Sequence, residues 1–209
     1  MTKIAYLYVF DTMADWEPGF PIAEINTGRY FQKDATKYIV RTVGITKEPV
    51  VTMGGVRISP DISLEECTTD YAGVLILPGG DTWVEDIHVP LLDKVKEFLN
   101  ADVLVAAICG ATMGLAKAGL MDNRPHTSND LGYLKAVCPT YAGEKFYRHE
   151  SVVPDGNLIT ASGVAPLEFA REVLRELGVF SAQTLEAWYH LYVTHEAQYF
   201  YSLMGSLEE

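Results

Sequence analysis

The chain has 209 residues, of which 48% are hydrophobic and 21% charged, with a formal net charge of −12. That length is short for two full cores, so one domain over 1–209 is expected. No window gathers five or six Lys and Arg, which argues against a nucleic acid or an anionic membrane surface as partner.

In chain order, the first apolar run is 4–10, "IAYLYVF", and it predicts a strand. The polar stretch "DTMADWEPGF" follows, with Asp11, Asp15 and Glu17. A second strand is predicted over 37–45, "KYIVRTVGI". The segment 46–60, "TKEPVVTMGGVRISP", reads as two short strands around Gly54 and Gly55, a small hairpin appended to the main sheet. Strands are then predicted over 73–78, "GVLILP", over 102–108, "DVLVAAI", and over 157–161, "NLITA". Their apolarity is continuous rather than alternating, which suits parallel strands covered on both faces.

Helical spacing recurs between these runs. Pro90 to Asn100 places Leu91, Val95, Phe98 and Leu99 on one stripe behind a first-turn proline, and Val164 to Leu177 repeats the pattern before Gly178. Ser181 to Met204 reads as one long helix whose aromatic residues, including Trp188, Tyr192 and Phe200, pack into the core, a subunit interface or a pocket wall being the alternatives. Alternation of strand and helix predicts a doubly wound α/β sheet.

Three cysteines at wide spacing form no disulfide framework, and no CxxC pair suggests zinc. No run approaches a membrane span and the N-terminal apolar stretch is too short for a secretory leader, so a reduced cytoplasmic setting is expected. Nothing calls for a cofactor or a metal; Glu186 and His190, one helical turn apart, are only two side chains.

In such a sheet ligands bind beyond the carboxyl ends of the strands. Three of those ends carry polar or small residues: Asp11 to Glu17, then Gly79-Gly80, then Cys109-Gly110. A thiol at a sharp strand-to-helix turn faces a ligand, and the helix N-terminus beside it favours thiolate. Gly110 leaves its N–H open to a developing oxyanion, and Gly79 or Gly80 supplies a second donor. Glu17, if within hydrogen-bond reach of the sulfur, would have its pKa raised by burial and by the negative sulfur, so that in its protonated form it donates a hydrogen bond to the sulfur and lowers the thiol pKa. Cys67 and Cys138 read as buried apolar residues, and Asp11 and Asp15 as capping and turn residues.

The stretches "ADWEPGF", "LILPGGD" and "AAICGATMGLAKAGL" together resemble the ThiJ/PfpI superfamily, which includes intracellular protease I, the Parkinsonism-associated deglycase, glyoxalase-type chaperones and isocyanide hydratases, and is related to class I glutamine amidotransferases. The match covers 3–20, 73–80 and 102–128, with an echo over 157–174. The resemblance implies a flavodoxin-like sheet, a nucleophilic Cys109, an acidic partner at Glu17 and a homodimer. PfpI-type proteases carry His directly after the nucleophile, where this chain has Gly110, and the later His-x-Glu of the amidotransferases is absent. His126 in "NRPHTSND" lies where deglycase-like members carry a His near the cysteine; the other reading is a loop His with ordinary hydrogen bonds. Two functions stay open. One is a cysteine-dependent hydrolase (protease- or amidase-like) or glyoxalase-type lyase acting on a small molecule. The other is a redox-sensing or chaperone-like stress protein that uses the same thiol.

Overall fold

A computed structural model describes residues 2–207 of the chain. Nine strands and seven α-helices alternate through these residues. The strands are β1 (Lys3–Tyr8), β2 (Tyr38–Gly44), β3 (Val50–Val51), β4 (Arg57–Ile58), β5 (Ile62–Ser63), β6 (Ala72–Leu77), β7 (Leu104–Ile108), β8 (Val152–Asp155) and β9 (Leu158–Ala161). The helices are α1 (Gly19–Thr27), α2 (Val89–Asn100), α3 (Gly110–Lys117), α4 (Leu131–Val137), α5 (Pro166–Glu176), α6 (Ala182–Thr194) and α7 (Ala197–Gly205).

Seven strands form one sheet in the order β5-β2-β1-β6-β7-β9-β8. Every pairing in it is parallel except β8 with β9. This is the mostly parallel α/β architecture expected, of flavodoxin-like type. Its central strands are buried on both faces: Ala5 to Tyr8, Val74 to Leu77 and Val105 to Ile108 are all 4% exposed or less. Continuous apolarity in those runs therefore has its physical cause in helices packed on both sides. β1 is flanked by β2 on one side and β6 on the other, so the chain reverses its direction of growth there. The carboxyl ends of β1 and β6 open the crevice that this reversal creates.

The hairpin over 46–60 is present as β3 paired antiparallel with β4, separate from the main sheet. Asp11 and Asp15 tie it to the end of β1, accepting hydrogen bonds from Val51 N–H at 2.7 Å and Gly54 N–H at 2.6 Å. They serve as turn anchors, the role expected of them.

The long C-terminal helix is not continuous. It breaks at His195, whose φ of 61° is left-handed, and the chain turns back as α7. Thr194 helps the break, donating its hydroxyl to His190 O at 2.9 Å and accepting from Glu196 N–H at 3.3 Å. A straight helix would leave its broad apolar stripe bare. Folding back buries Leu203 completely and stacks Tyr199 on His190 with ring centroids 5.0 Å apart. Trp188 is in the core as expected, whereas Phe200 is 45% exposed.

β8 and the helices α1 and α4 carry weak sequence signals. β8 contains Pro154, tolerated because the strand lies at the sheet edge. α1 opens with Gly19 and Pro21, and α4 is seven residues long, started by Asp130 accepting from Tyr133 N–H at 2.7 Å.

Candidate active site

Four parallel strands deliver small or polar residues to one edge of the sheet. The end of β7 carries Cys109, that of β6 carries Gly79 and Gly80, the turn after β1 carries Glu17, and β9 is followed by Gly163. Cys109 sits at φ 58°, ψ −123°, a strained conformation for a non-glycine residue, where strand gives way directly to helix. The surroundings hold it there. Its N–H donates to Ala161 O at 2.9 Å, and its carbonyl accepts from the Thr112 hydroxyl at 2.6 Å. Thr112 Oγ1 is in turn 2.7 Å from Ser128 Oγ.

Glu17 is fully buried, in a turn ahead of α1. One carboxyl oxygen, Oε2, accepts from Gly79 N–H at 2.5 Å. The other, Oε1, is the one buried side-chain oxygen or nitrogen without a hydrogen-bond partner among the described residues. The carboxyl lies beside the Cys109 thiol, both groups crowding the same two glycine positions. The convergence is tight. A Cβ on Gly79 would stand 2.9 Å from both Cys109 Sγ and Glu17 Oε2, and a Cβ on Gly163 would stand 2.6 Å from Sγ and 3.2 Å from Oε1. Only glycine fits at either position.

Burial dominates the electrostatics. It raises the Glu17 pKa to about 7, against the opposing hydrogen bonds from Gly79 and Cys109. Burial also pushes the Cys109 thiol up to about 11; Asn129 and the Gly110 N–H pull it down, while the neighbouring Glu17 charge adds to the rise. A helix N-terminus alone predicts a favoured thiolate, but desolvation outweighs it here. The two groups together resist carrying two charges, so they behave as a pair sharing one proton. With Glu17 protonated, the bare Oε1 becomes the natural place for that proton.

The glycine loop departs from expectation in one respect. The Gly79 N–H is engaged by Glu17 and is not free for an oxyanion. Gly80 N–H has no acceptor among the described residues and lies 3.2 Å from where a Cβ on Gly110 would stand. Gly80 and Gly110 are thus the donors left open. The same Cβ would meet Gly80 O and Trp83 Cδ1, each at 2.8 Å, so a histidine after the cysteine does not fit this loop. Trp83 wedges the loop, donating from Nε1 to Pro78 O at 2.9 Å and stacking on buried His88 with centroids 4.5 Å apart.

His126 is not at the sulfur. It is fully buried, with Nδ1 bonded to Arg124 O at 2.8 Å and Nε2 to Tyr141 Oη at 2.6 Å. Both ring nitrogens are spent, so it is the loop histidine with ordinary hydrogen bonds. The side chain that touches the sulfur is Asn129, whose Nδ2 donates to Sγ at 3.3 Å. Gly163 was within reach of sequence reasoning, since it follows a fourth parallel strand. Asn129 was not: it lies in the loop before α4, at no strand end. Cys67 and Cys138 are buried, and burial pushes Cys67 up to about 12.

A cavity of about 880 Å³ lies elsewhere, lined by Phe31, Asp34 and Thr36 on one side and Leu177, Ser181 and Ser206 on the other. Its hydroxyls are occupied with one another: Thr184 Oγ1 is 2.7 Å from Ser181 Oγ and 2.9 Å from Ser206 Oγ. It holds no group poised for chemistry. No helix among the described residues is long and apolar enough to cross a membrane.

The DJ-1/PfpI family pattern matches residues 3–176. Over 206 residues the chain is 55% identical to a Bacillus subtilis protein named uncharacterized protease YoaZ, covering 99% of this chain and 98% of that one. A solved thiJ/pfpI family protein from Bacillus anthracis is 56% identical and superimposes with a TM-score of 0.96, covering 100% of this chain and 99% of the other. A Caenorhabditis elegans protein named glutathione-independent glyoxalase DJR-1.2 is 27% identical over 136 residues, 64% of this chain and 70% of that one. The family pattern runs from β1 to the end of α5 and so takes in every strand end that builds the site, and the chain belongs to the DJ-1/PfpI family.

Proposed function

We propose that this protein is a cysteine-nucleophile enzyme that acts on a small carbonyl compound, as a glyoxalase-type lyase rather than a peptidase. The observation that carries this reading is the contact between the strained, partly exposed Cys109 and a buried Glu17 whose pKa is raised to about 7. Such a pair has one proton to lend near neutral pH and no second titrating group at the sulfur. Peptide hydrolysis asks for more, because an amine leaves poorly without a separate general acid.

The proposed sequence starts when sulfur attacks the aldehyde carbon of an α-oxoaldehyde. Glu17 takes the thiol proton as the S–C bond forms, the carbonyl π pair moves to oxygen beside the Gly80 and Gly110 N–H groups, and Glu17 passes that proton to the oxygen, giving a hemithioacetal. Glu17 then removes the proton from the former aldehyde carbon and delivers it to the neighbouring carbon, while the hydroxyl proton passes to the neighbouring oxygen, which leaves the thioester of an α-hydroxy acid. Water cleaves the thioester to an α-hydroxy acid and restores the thiol. One carboxyl serves every proton movement at carbon. The name of the Caenorhabditis elegans relative accords with this chemistry. The protease name of the Bacillus subtilis relative is set against Gly110, where a histidine does not fit.

The same reading has the protein working in the cytoplasm as a homodimer; exposed Phe200 and Tyr201 on α7 support an association surface, which light scattering tests. The decisive assay incubates methylglyoxal with wild type, Cys109→Ser and Glu17→Gln and measures α-hydroxy acid. A peptide amidomethylcoumarin panel runs alongside. Hydroxy acid from wild type and none from either variant is expected. Peptide cleavage without hydroxy acid, or turnover surviving in Cys109→Ser, overturns the reading.

A further inference from the structure

The Asn129 amide has a fixed orientation. Its Oδ1 accepts from Gly163 N–H at 2.8 Å, which leaves Nδ2 to face Cys109, 3.3 Å from Sγ. The reverse placement would set two donors against each other at Gly163. The backbone on either side is also anchored. Ser128 is buried and bonded to Thr112, and Asp130 caps α4 through Tyr133 N–H. Gly163, the partner that orients the amide, itself packs against the sulfur, since a Cβ there would stand 2.6 Å from Sγ. Asn129 and Gly163 therefore form a strap across Cys109. Asn129 is its solvent-exposed half.

We propose that Asn129 is a catalytic residue: its amide donates to the sulfur and stabilises negative charge there. Because an amide does not titrate, it leaves Glu17 as the only side chain that moves a proton at Cys109. This rests on the reading of Cys109 as the nucleophile. Sulfur bears charge in the attacking state and again when the thioester is cleaved, and a donor already in place stabilises both without reorganising. An imidazole in the same position would add a second acid or base. The amide adds a donor whose charge is the same at every pH, so the reactivity of the sulfur follows the Glu17–Cys109 pair alone. The assignment also accounts for a site that works with His126 turned away and fully bonded elsewhere.

The test does not depend on knowing the substrate. Cys109 is alkylated with iodoacetamide in wild type, Asn129→Ala and Asn129→Asp, from about pH 5 to about pH 10, a span that takes in the Glu17 titration near 7 and the rising flank of the Cys109 titration below about 11. Intact mass and peptide mapping give the rate at Cys109, with Cys109→Ser as background. Circular dichroism and melting temperature confirm that the exposed substitutions leave the fold in place. In Asn129→Ala the rate at neutral pH is expected to fall about tenfold and the rising flank of the profile to move about one unit to higher pH. In Asn129→Asp, where a negative charge faces the sulfur, both effects are larger. A profile for Asn129→Ala that superimposes on wild type overturns the assignment, as does an Asn129→Asp variant that reacts as fast as wild type. A wild-type Cys109 that resists alkylation at every pH overturns the nucleophile reading, and the assignment with it. A merely structural role would move the melting temperature and not the pH profile.

Discussion

Glu17 and Cys109, 92 positions apart in the chain, are brought side by side around Gly79 and Gly163 by the parallel strands β1 and β7, with β6 between them. Gly79 at the end of β6 closes the gap, donating its N–H to Glu17 and lacking the Cβ that would collide with the sulfur. The consequences of this contact are chemical and also thermodynamic.

Burial of Glu17 makes stability depend on pH. Between pH 4.5 and about 7 the unfolded chain has released this proton while the folded chain still holds it, so stability falls as pH rises through that window. Glu17→Gln removes the dependence and keeps an oxygen for Gly79 N–H. Denaturant melts at pH 8 are expected to show the variant more stable than wild type by about 3 kcal/mol, with the difference closing toward pH 4.

His88 works in the opposite direction. It is fully buried, bonded to Tyr8 Oη at 2.9 Å and Thr82 Oγ1 at 3.0 Å, and burial lowers its pKa to about 4. As pH falls from 6.5 to about 4 the unfolded chain takes up a proton that the folded chain refuses, and stability is lost. Wild type is therefore expected to lose about 3 kcal/mol more than His88→Gln across that window, read from denaturant midpoints.

His126→Ala separates a structural histidine from a catalytic one. Two buried hydrogen bonds disappear and a cavity is left, so unfolding free energy is expected to fall by about 2 to 4 kcal/mol. The alkylation profile of Cys109 stays within about twofold of wild type, since His126 makes no contact with the sulfur.

Gly163→Ala places a methyl carbon 2.6 Å from Sγ, far inside contact distance. Displacing the sulfur by a fraction of an ångström is expected to cost about a hundredfold in turnover while the fold persists. Gly205→Ala is the control. It is exposed in α7 with nothing within 4 Å of the added Cβ, and it should raise stability by about 0.5 to 1 kcal/mol with activity unchanged.

Gly110→His tests the departure from the protease pattern. Its Cβ collides with Gly80 O and Trp83 Cδ1, so the variant is expected to lose about 1 to 3 kcal/mol of stability. It should gain no activity on peptide amidomethylcoumarins, which a fluorescence assay reads directly.

The strands that carry the site were legible because each is an apolar run long enough to be buried on both faces and short enough not to be a helix. The elbow at Cys109 was legible for a related reason: the apolar run "VLVAAI" ends at a thiol followed by glycine. The break at His195 was not, because helical periodicity continues on both sides of it and the reversal is driven by burying Leu203 against the rest of the fold. Gly79 was assigned to the oxyanion because a strand-end glycine offers an N–H. That Glu17 takes that N–H first depends on a carboxyl 62 residues away.

By itself, the sequence determined the sheet, the hairpin beside it and the meeting of Cys109 and Glu17 at one sheet edge, since hydrophobic runs and turn residues act locally and parallel strands bring their ends to one edge. The tertiary structure decided which neighbours reach the sulfur. Asn129 rather than His126 touches it, and Gly163 rather than Gly79 faces it with a spare N–H for orienting the amide. Those choices turn on differences of a few ångströms between loops distant in sequence, which no local pattern of residues encodes.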